Sequence, residues 1–287
     1  MAKDIWTFYY TLDRPSPLEA FSQINGLKVE VHRNSNQVVI GNVDASDMDE
    51  ARKEALAAAN QFLNTLSWKQ GTSLKIEPET YSAYHVSPSG KKEQILKAAP
   101  VAVVTSVGEL TAVKKDAAGN IVEVRDSQKP GRIDTKPSDA AAYYRRAHLT
   151  SDPFDSFRNL YLAVENIADR IRIKKTISKQ RLKKMCGLQS YERSLLQIAL
   201  HECFAKTQQS LVRTASKTYT IDTKKPIIPQ LAEILYEGNR CQLNHAKALE
   251  NKKIPFNPQD EKAVKTALCL MELVAKSLLA YEDNLLP

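Results

Sequence analysis

Lys129-Pro130-Gly131-Arg132-Ile133-Asp134-Thr135-Lys136-Pro137-Ser138 divides this chain into two unlike halves. Two prolines and a glycine among charged residues read as a linker, and Ser138 is a good N-cap for the segment that follows. Upstream, short β-branched and aromatic runs alternate with turn residues; downstream, apolar residues recur almost throughout at the helical period. The reading is an α+β domain over residues 1–137 followed by an all-α bundle over residues 138–287. A chain of 287 residues comfortably holds two such cores.

In the first half, Ile5 to Tyr10, Leu27 to His32 and Val38 to Ile40 read as strands, the last two joined at Asn34-Ser35-Asn36 as a hairpin. Ser46-x-x-Asp49 and Asp47-x-x-Glu50 supply capping chemistry for a helix over Ala51 to Trp68. Strands then return at Ser73 to Ile76, Tyr81 to Val86 and Val101 to Val107, and a hairpin at Leu110 to Lys114 and Ile121 to Arg125. His32 and His85 sit in strand-like runs, where a structural or surface histidine is the ordinary reading. No residue set here has the spacing of a known chemistry, so this half is left a recognition or scaffold role.

The second half predicts five helices: Asp139 to Leu149, Pro153 to Ile173, Ser190 to Ser216, Ile228 to about Leu249, and Asp260 to Leu279. Charge separates the halves as sharply as periodicity does. Residues 1–137 hold 17 Lys+Arg against 17 Asp+Glu, whereas residues 138–287 hold 24 against 16. A neutral domain joined to a basic one predicts a polyanionic partner for the basic one. No apolar run reaches membrane-spanning length, which points to a cytoplasmic protein without membrane contact. Cys186, Cys203, Cys241 and Cys269 form no C-x-x-C pair and read as reduced thiols. No metal site or cofactor is expected: His201-Glu202-Cys203 is not a zincin motif, and the chain has no P-loop and no G-x-G-x-x-G. His148, near a helix end, reads as a C-terminal cap.

Two constellations carry candidate chemistry. Arg170, Arg172, Lys174, Lys175, Lys179, Arg181, Lys183 and Lys184 are eight basic residues in a stretch with no acidic one. They form either a phosphate platform for RNA or the solvated end of the Pro153 helix and a loop. The second is Glu233-Ile-Leu-Tyr236-Glu237-Gly-Asn239-Arg240-Cys241-Gln242-Leu243-Asn244-His245-Ala246. At about 100° per residue, Arg240 at zero places Asn244 near about 40°, Glu237 about 60°, Cys241 about 100° and His245 about 140°. Those polar groups would share one side of a helix whose Leu231, Leu235 and Leu243 read as core. Arginine and histidine are the pair that metal-free RNA cleavage uses, one for phosphate charge and one for proton transfer. The same pair also fits a capping or surface role.

An R-x4-H at Arg240 and His245, on the penultimate helix of a basic bundle, resembles the HEPN superfamily, over roughly residues 138–287. More loosely, the arrangement is similar to bacterial proteins carried under a methylamine-utilisation label. The HEPN resemblance implies a metal-independent endoribonuclease of toxin-antitoxin or anti-phage defence type, built as a homodimer and regulated by an antitoxin or another protein partner. His245 would assist attack of the ribose 2′-hydroxyl, Arg240 would hold the phosphate, and the product would carry a 2′,3′-cyclic phosphate. Asn244 would add a polar contact, and Glu165 would orient Arg240 or else face solvent. The chain departs from strongly active members at Cys241, where they place Asn, Asp or His. A non-catalytic HEPN adaptor and a metabolic accessory protein are the alternatives.

Overall fold

The computed structural model describes residues 4–87, 89–97, 113–115, 121–124, 131–187, 190–217, 219–237 and 258–285. The chain divides into two compact units, Met1–Pro137 and Ser138–Pro287.

The first unit is a seven-stranded mixed sheet with one long helix on it. Its strands are β1 (Asp4–Leu12), β2 (Ala20–Ile24), β3 (Leu27–Val31), β4 (Gln37–Ala45), β5 (Ile76–Val86), β6 (Lys92–Lys97) and β9 (Gly131–Arg132), in the order β6-β5-β1-β4-β3-β2-β9. All neighbours are antiparallel except β2 and β9. Strand β1 shows why the sheet has one core face: Trp6, Phe8, Tyr10 and Leu12 are buried while the residues between them are not. Against that face lies α1 (Met48–Gln70), which buries Ala51, Ala55, Ala58, Ala59, Phe62, Leu63 and Leu66. Alanine on its inner face lets the helix approach the sheet closely, and each large apolar side chain contributes about 1.5–3 kcal/mol. The helix begins at Asp47, whose Oδ1 accepts from the backbone N–H groups of Asp49 and Glu50 at 2.9 Å each, while Glu50 reaches back to the Ser46 N–H at 3.0 Å. It ends at Gly71, with φ of 67°.

The supposed linker is part of this unit. Gly131 and Arg132 form β9, the Ile133 N–H donates to the Phe21 carbonyl at 2.9 Å, and Ile133 is only 6% exposed. One buried isoleucine outweighs a composition that favours irregular structure. Ser73 to Leu74 is not strand; β5 begins at Ile76. Besides β9, two strands have no counterpart in the sequence reading. In β2 the inward positions are Ala20, Ser22 and Ile24, so a serine breaks the apolar alternation. In β6 the edge position permits four charged or amide residues in six. The separate hairpin of β7 (Val113–Lys115) and β8 (Ile121–Val124) is antiparallel as expected. Val101 to Val107 lies outside the described residues.

The second unit is helical: α2 (Asp139–Leu149), α3 (Pro153–Lys174), α4 (Lys179–Cys186), α5 (Tyr191–Ala215), α6 (Ile227–Leu235) and α7 (Pro258–Leu285). Helix α3 is the hub, packing on α2, α5 and α7. Its apolar stripe of Phe157, Leu160, Val164, Ile167 and Ile171 is buried. Four helices start on side-chain caps: Ser138 for α2, Asp152 followed by Pro153 for α3, Ser178 for α4 and Ser190 for α5. Helix α4 lies where a loop was expected. Ser178 at one end and a left-handed Gly187 at the other bracket a single buried residue, Leu182, which suffices to dock so short a helix. Helix α6 stops at Leu235, with Tyr236 as its cap; the rest of the expected Ile228 to Leu249 helix falls outside the described residues.

Candidate functional site

On the solvent side of α3, Glu165, Asn166 and Asp169 line a cleft of about 270 Å³. Tyr143 of α2, Lys179 of α4 and Tyr191 of α5 line it with them. The polar stripe exists because these positions fall between the buried residues of α3, on the helix face that α2 and α5 leave uncovered.

Two bonded networks hold the cleft in one arrangement. In the first, the Arg172 Nε donates to Asp169 Oδ1 at 2.7 Å, the Tyr191 hydroxyl donates to the same oxygen, and the Arg172 NH1 donates to the Ile177 carbonyl at 2.9 Å. The Arg172 hydrogen bond holds the Asp169 carboxyl below the usual range. Burial, reinforced by the Asp169 charge, pushes the Tyr191 hydroxyl up to about 12. Asp169 is therefore ionised and Tyr191 neutral near pH 7. Arg172 and Lys179 also lie over the Tyr191 ring, at 5.9 and 4.9 Å from its centroid.

In the second network, Arg170 NH1 pairs with Glu282 Oε1 at 2.6 Å, and Glu282, 6% exposed, accepts from the Ser138 hydroxyl at 2.8 Å. The Arg170 Nε donates to Asn166 Oδ1 at 3.1 Å. Because arginine carries only donors, the Asn166 atom facing it is the carbonyl oxygen, which leaves the amide NH₂ for the cleft.

The basic run is thus divided by its surroundings. Arg170 and Arg172 are bound as above, and Lys175 pairs with Glu202 of α5. Lys174, Arg181 and Lys184 are exposed, Lys183 is half-buried, and none of the four has a hydrogen bond or ion pair among the described residues. Arg181 and Lys184 lie one turn apart on the outer face of α4, beside Met185, which is 62% exposed.

Arg240, Asn244 and His245 lie outside the described residues, as does Cys241. The described chain reaches Glu237, three positions before Arg240. Its last two residues are tied to the start of α5: the Tyr236 hydroxyl lies 2.7 Å from Ser190 Oγ, and Glu237 pairs with Arg193. Ser190 and Arg193 flank Tyr191, so the chain enters the R-x4-H segment from the rim of the Glu165 cleft.

The remaining candidate residues are structural. His148 is not a helix cap; Thr150 ends α2, and the His148 ring packs at a tilt against Tyr144, centroids 4.6 Å apart, with its Nε2 3.7 Å from Glu272 Oε1. Burial holds its imidazole below the usual range, with Lys276 acting the same way and Glu272 opposing. His85 stacks on Trp6 at 4.3 Å, with Asp4 3.1 Å away. Cys186, Cys203 and Cys269 are free thiols. Among the described residues, no group of three or more His, Cys, Asp or Glu has metal-binding geometry, and no helix is long and apolar enough to cross a membrane. Sequence reasoning named Glu165 but not Asn166, Asp169, Lys179 as a ring partner, or Tyr191; the i, i+1, i+4 polar set on an otherwise apolar helix was the available signal.

Residues 140–280, nearly all of the helical unit, match the family model described as Methylamine utilization protein MauJ. No curated protein and no solved structure matches the chain.

Proposed function

We propose, on the premise that residues 140–280 are MauJ-like and that MauJ-like proteins belong to the HEPN-like family, that this protein is a metal-independent endoribonuclease acting as a homodimer. One observation carries the reading. Tyr236 and Glu237, the last described residues before Arg240 and His245 in sequence, are tied to Ser190 and Arg193 at the start of α5, which also lends Tyr191 to the cleft that contains Glu165.

In this mechanism Glu165 orients the Arg240 guanidinium, which binds the scissile phosphate and stabilises its extra charge in the transition state. His245 takes the proton from the ribose 2′-hydroxyl as that oxygen attacks phosphorus, and the bond to the 5′-oxygen breaks as that oxygen takes a proton from water. The ends are a 2′,3′-cyclic phosphate and a 5′-hydroxyl. Lys174, Arg181, Lys183 and Lys184 hold the flanking phosphates. The sheet unit selects the RNA or a protein partner.

Purified protein incubated with end-labelled RNA in EDTA should produce cyclic-phosphate ends, and His245→Ala should abolish them. No cleavage by either, with RNA binding retained, transfers the reading to a non-catalytic adaptor. The pairing of Arg170 with Glu282, Arg172 with Asp169 and Lys175 with Glu202 favours that second reading, since it lowers the charge offered to RNA.

A further inference from the structure

The cleft beside α3 has a charge pattern that a phosphate would not choose. Glu165 and Asp169 place two carboxylates on one wall against a single lining cation, Lys179, and Asp169 is kept ionised by Arg172. Like charges within a few ångströms repel, so the part of a nucleotide that enters here is its uncharged part. At about 270 Å³ the cleft has room for about nine waters at ~30 Å³ each. One nucleobase fits in that space. Tyr143, Leu162 and Leu195 supply apolar surface beside it.

The polar atoms of the wall are fixed before any ligand arrives. Arg170 takes the Asn166 oxygen, so the cleft receives the amide NH₂ as a donor. Arg172 and Tyr191 both donate to Asp169 Oδ1, so Oδ2 remains an acceptor with no hydrogen bond among the described residues. Glu165 adds a carboxylate, which has about four acceptor sites and so keeps capacity beside the interactions it already makes. The α3 wall therefore has acceptors in excess and one oriented donor, while the cleft's other strong donor, Lys179, lies over the Tyr191 ring at 4.9 Å.

Base edges differ in that balance. On its Watson–Crick edge guanine offers two neighbouring donors, N1–H and N2–H₂, and one acceptor, O6. Adenine, cytosine and uracil each offer a single donor there. We infer that this cleft is a guanine-binding subsite, with the Asp169 and Glu165 carboxylates accepting from N1 and N2 and the Asn166 amide donating to O6. The inference rests on the RNA-directed reading and deepens it: cleavage would fall at a set position relative to a guanosine, with phosphates running outward past Lys179 and along α4. Arg170 and Glu282 act as positioning residues, because they decide which end of the Asn166 amide faces the base.

The test is equilibrium binding of GMP, AMP, CMP and UMP to the full-length protein. GMP should bind at least about tenfold more tightly than the other three, the scale of one well-placed polar pair. Asn166→Asp is the decisive variant. It keeps an oxygen for Arg170, exchanges the cleft-facing NH₂ for an oxygen and adds a negative charge that Arg170 can pair, so the protein should stay folded by its far-ultraviolet signal while the GMP preference disappears. Equal affinity for the four nucleotides, absence of binding at millimolar concentration, or an Asn166→Asp protein that still selects GMP would each overturn the assignment. The two readings fail separately. GMP selectivity without RNA cleavage upholds the base site and removes the nuclease; cleavage without GMP selectivity does the reverse.

Discussion

Arg170 and Arg181 are both arginines of one basic run, yet their surroundings give them different work. Arg170 is held between the buried Glu282 and Asn166, while Arg181 projects from α4 into solvent. Replacing Arg170 with Gln leaves a buried carboxylate with only Ser138, and should lower stability by about 2 kcal/mol, the range of a charge-assisted hydrogen bond. Urea unfolding checks this. The combined variant Lys174→Gln, Arg181→Gln, Lys184→Gln should leave unfolding unchanged but flatten the salt dependence of RNA binding. At ~0.7 per phosphate contact on a single strand, the log–log slope should fall by roughly 2. An unchanged slope would remove α4 from the RNA path.

His148 makes a prediction in pH. Its folded pKa lies below the ordinary value because burial disfavours the charged ring. In the window between the folded and unfolded values, the unfolded chain holds more protons, so stability rises with pH there. This contribution is complete above about pH 6.5 and is lost as pH falls through the lowered folded value. Against His148→Gln, the wild-type protein should lose stability more steeply on going from pH 7.5 to 5; parallel stability curves would contradict the burial of the neutral ring.

Among the elements, α5 shows how a cap can serve two purposes. Ser190 Oγ accepts from the Arg193 N–H at 3.3 Å and meets the Tyr236 hydroxyl at 2.7 Å, joining the start of α5 to the end of α6. Ser190→Ala should cost about 1–2 kcal/mol by thermal unfolding, the upper range for a lost N-cap, and Tyr236→Phe distinctly less. If Ser190 only capped α5, the RNA affinity of the folded variant would be unaltered; if the tie also anchors the R-x4-H segment, affinity falls with it.

The same elements show how much was legible. The α3 boundaries followed from Asp152-Pro153 and an uninterrupted apolar stripe, and α1 from its capping residues. Strand β2 was overlooked although Asn25-Gly26, with φ of 50° and 86°, is a strong local hairpin signal between Ile24 and Leu27. Ser22 concealed it, since its burial depends on neighbours from other strands. Helix α4 was hidden by its own charge, because a helix held by one buried leucine presents almost no periodicity to read.

At the level of the chain, the division at Pro137 and Ser138 separates two units each with its own buried core. Residues 138–287 produced alone should therefore unfold in a cooperative transition and retain the helical far-ultraviolet signal of the packed helices described for this unit. A fragment lacking a thermal transition would mean that the helical unit depends on the sheet unit for its core.

Local chemistry in the chain was enough to specify the sheet-then-helix order, the main helices, the basic character of the second unit and the R-x4-H pattern, because periodicity, caps and charge act over a few neighbouring residues. Tertiary packing alone decided that Ile133 closes the sheet core, that Arg170 is a structural cation, and that Asn166 turns its amide toward a cleft. The first two depend on Phe21 and Glu282 being brought within bonding distance from far along the chain, whereas the Asp169–Arg172 and Asn166–Arg170 pairs lie one helical turn apart on α3 and owe to the fold only the cleft they face.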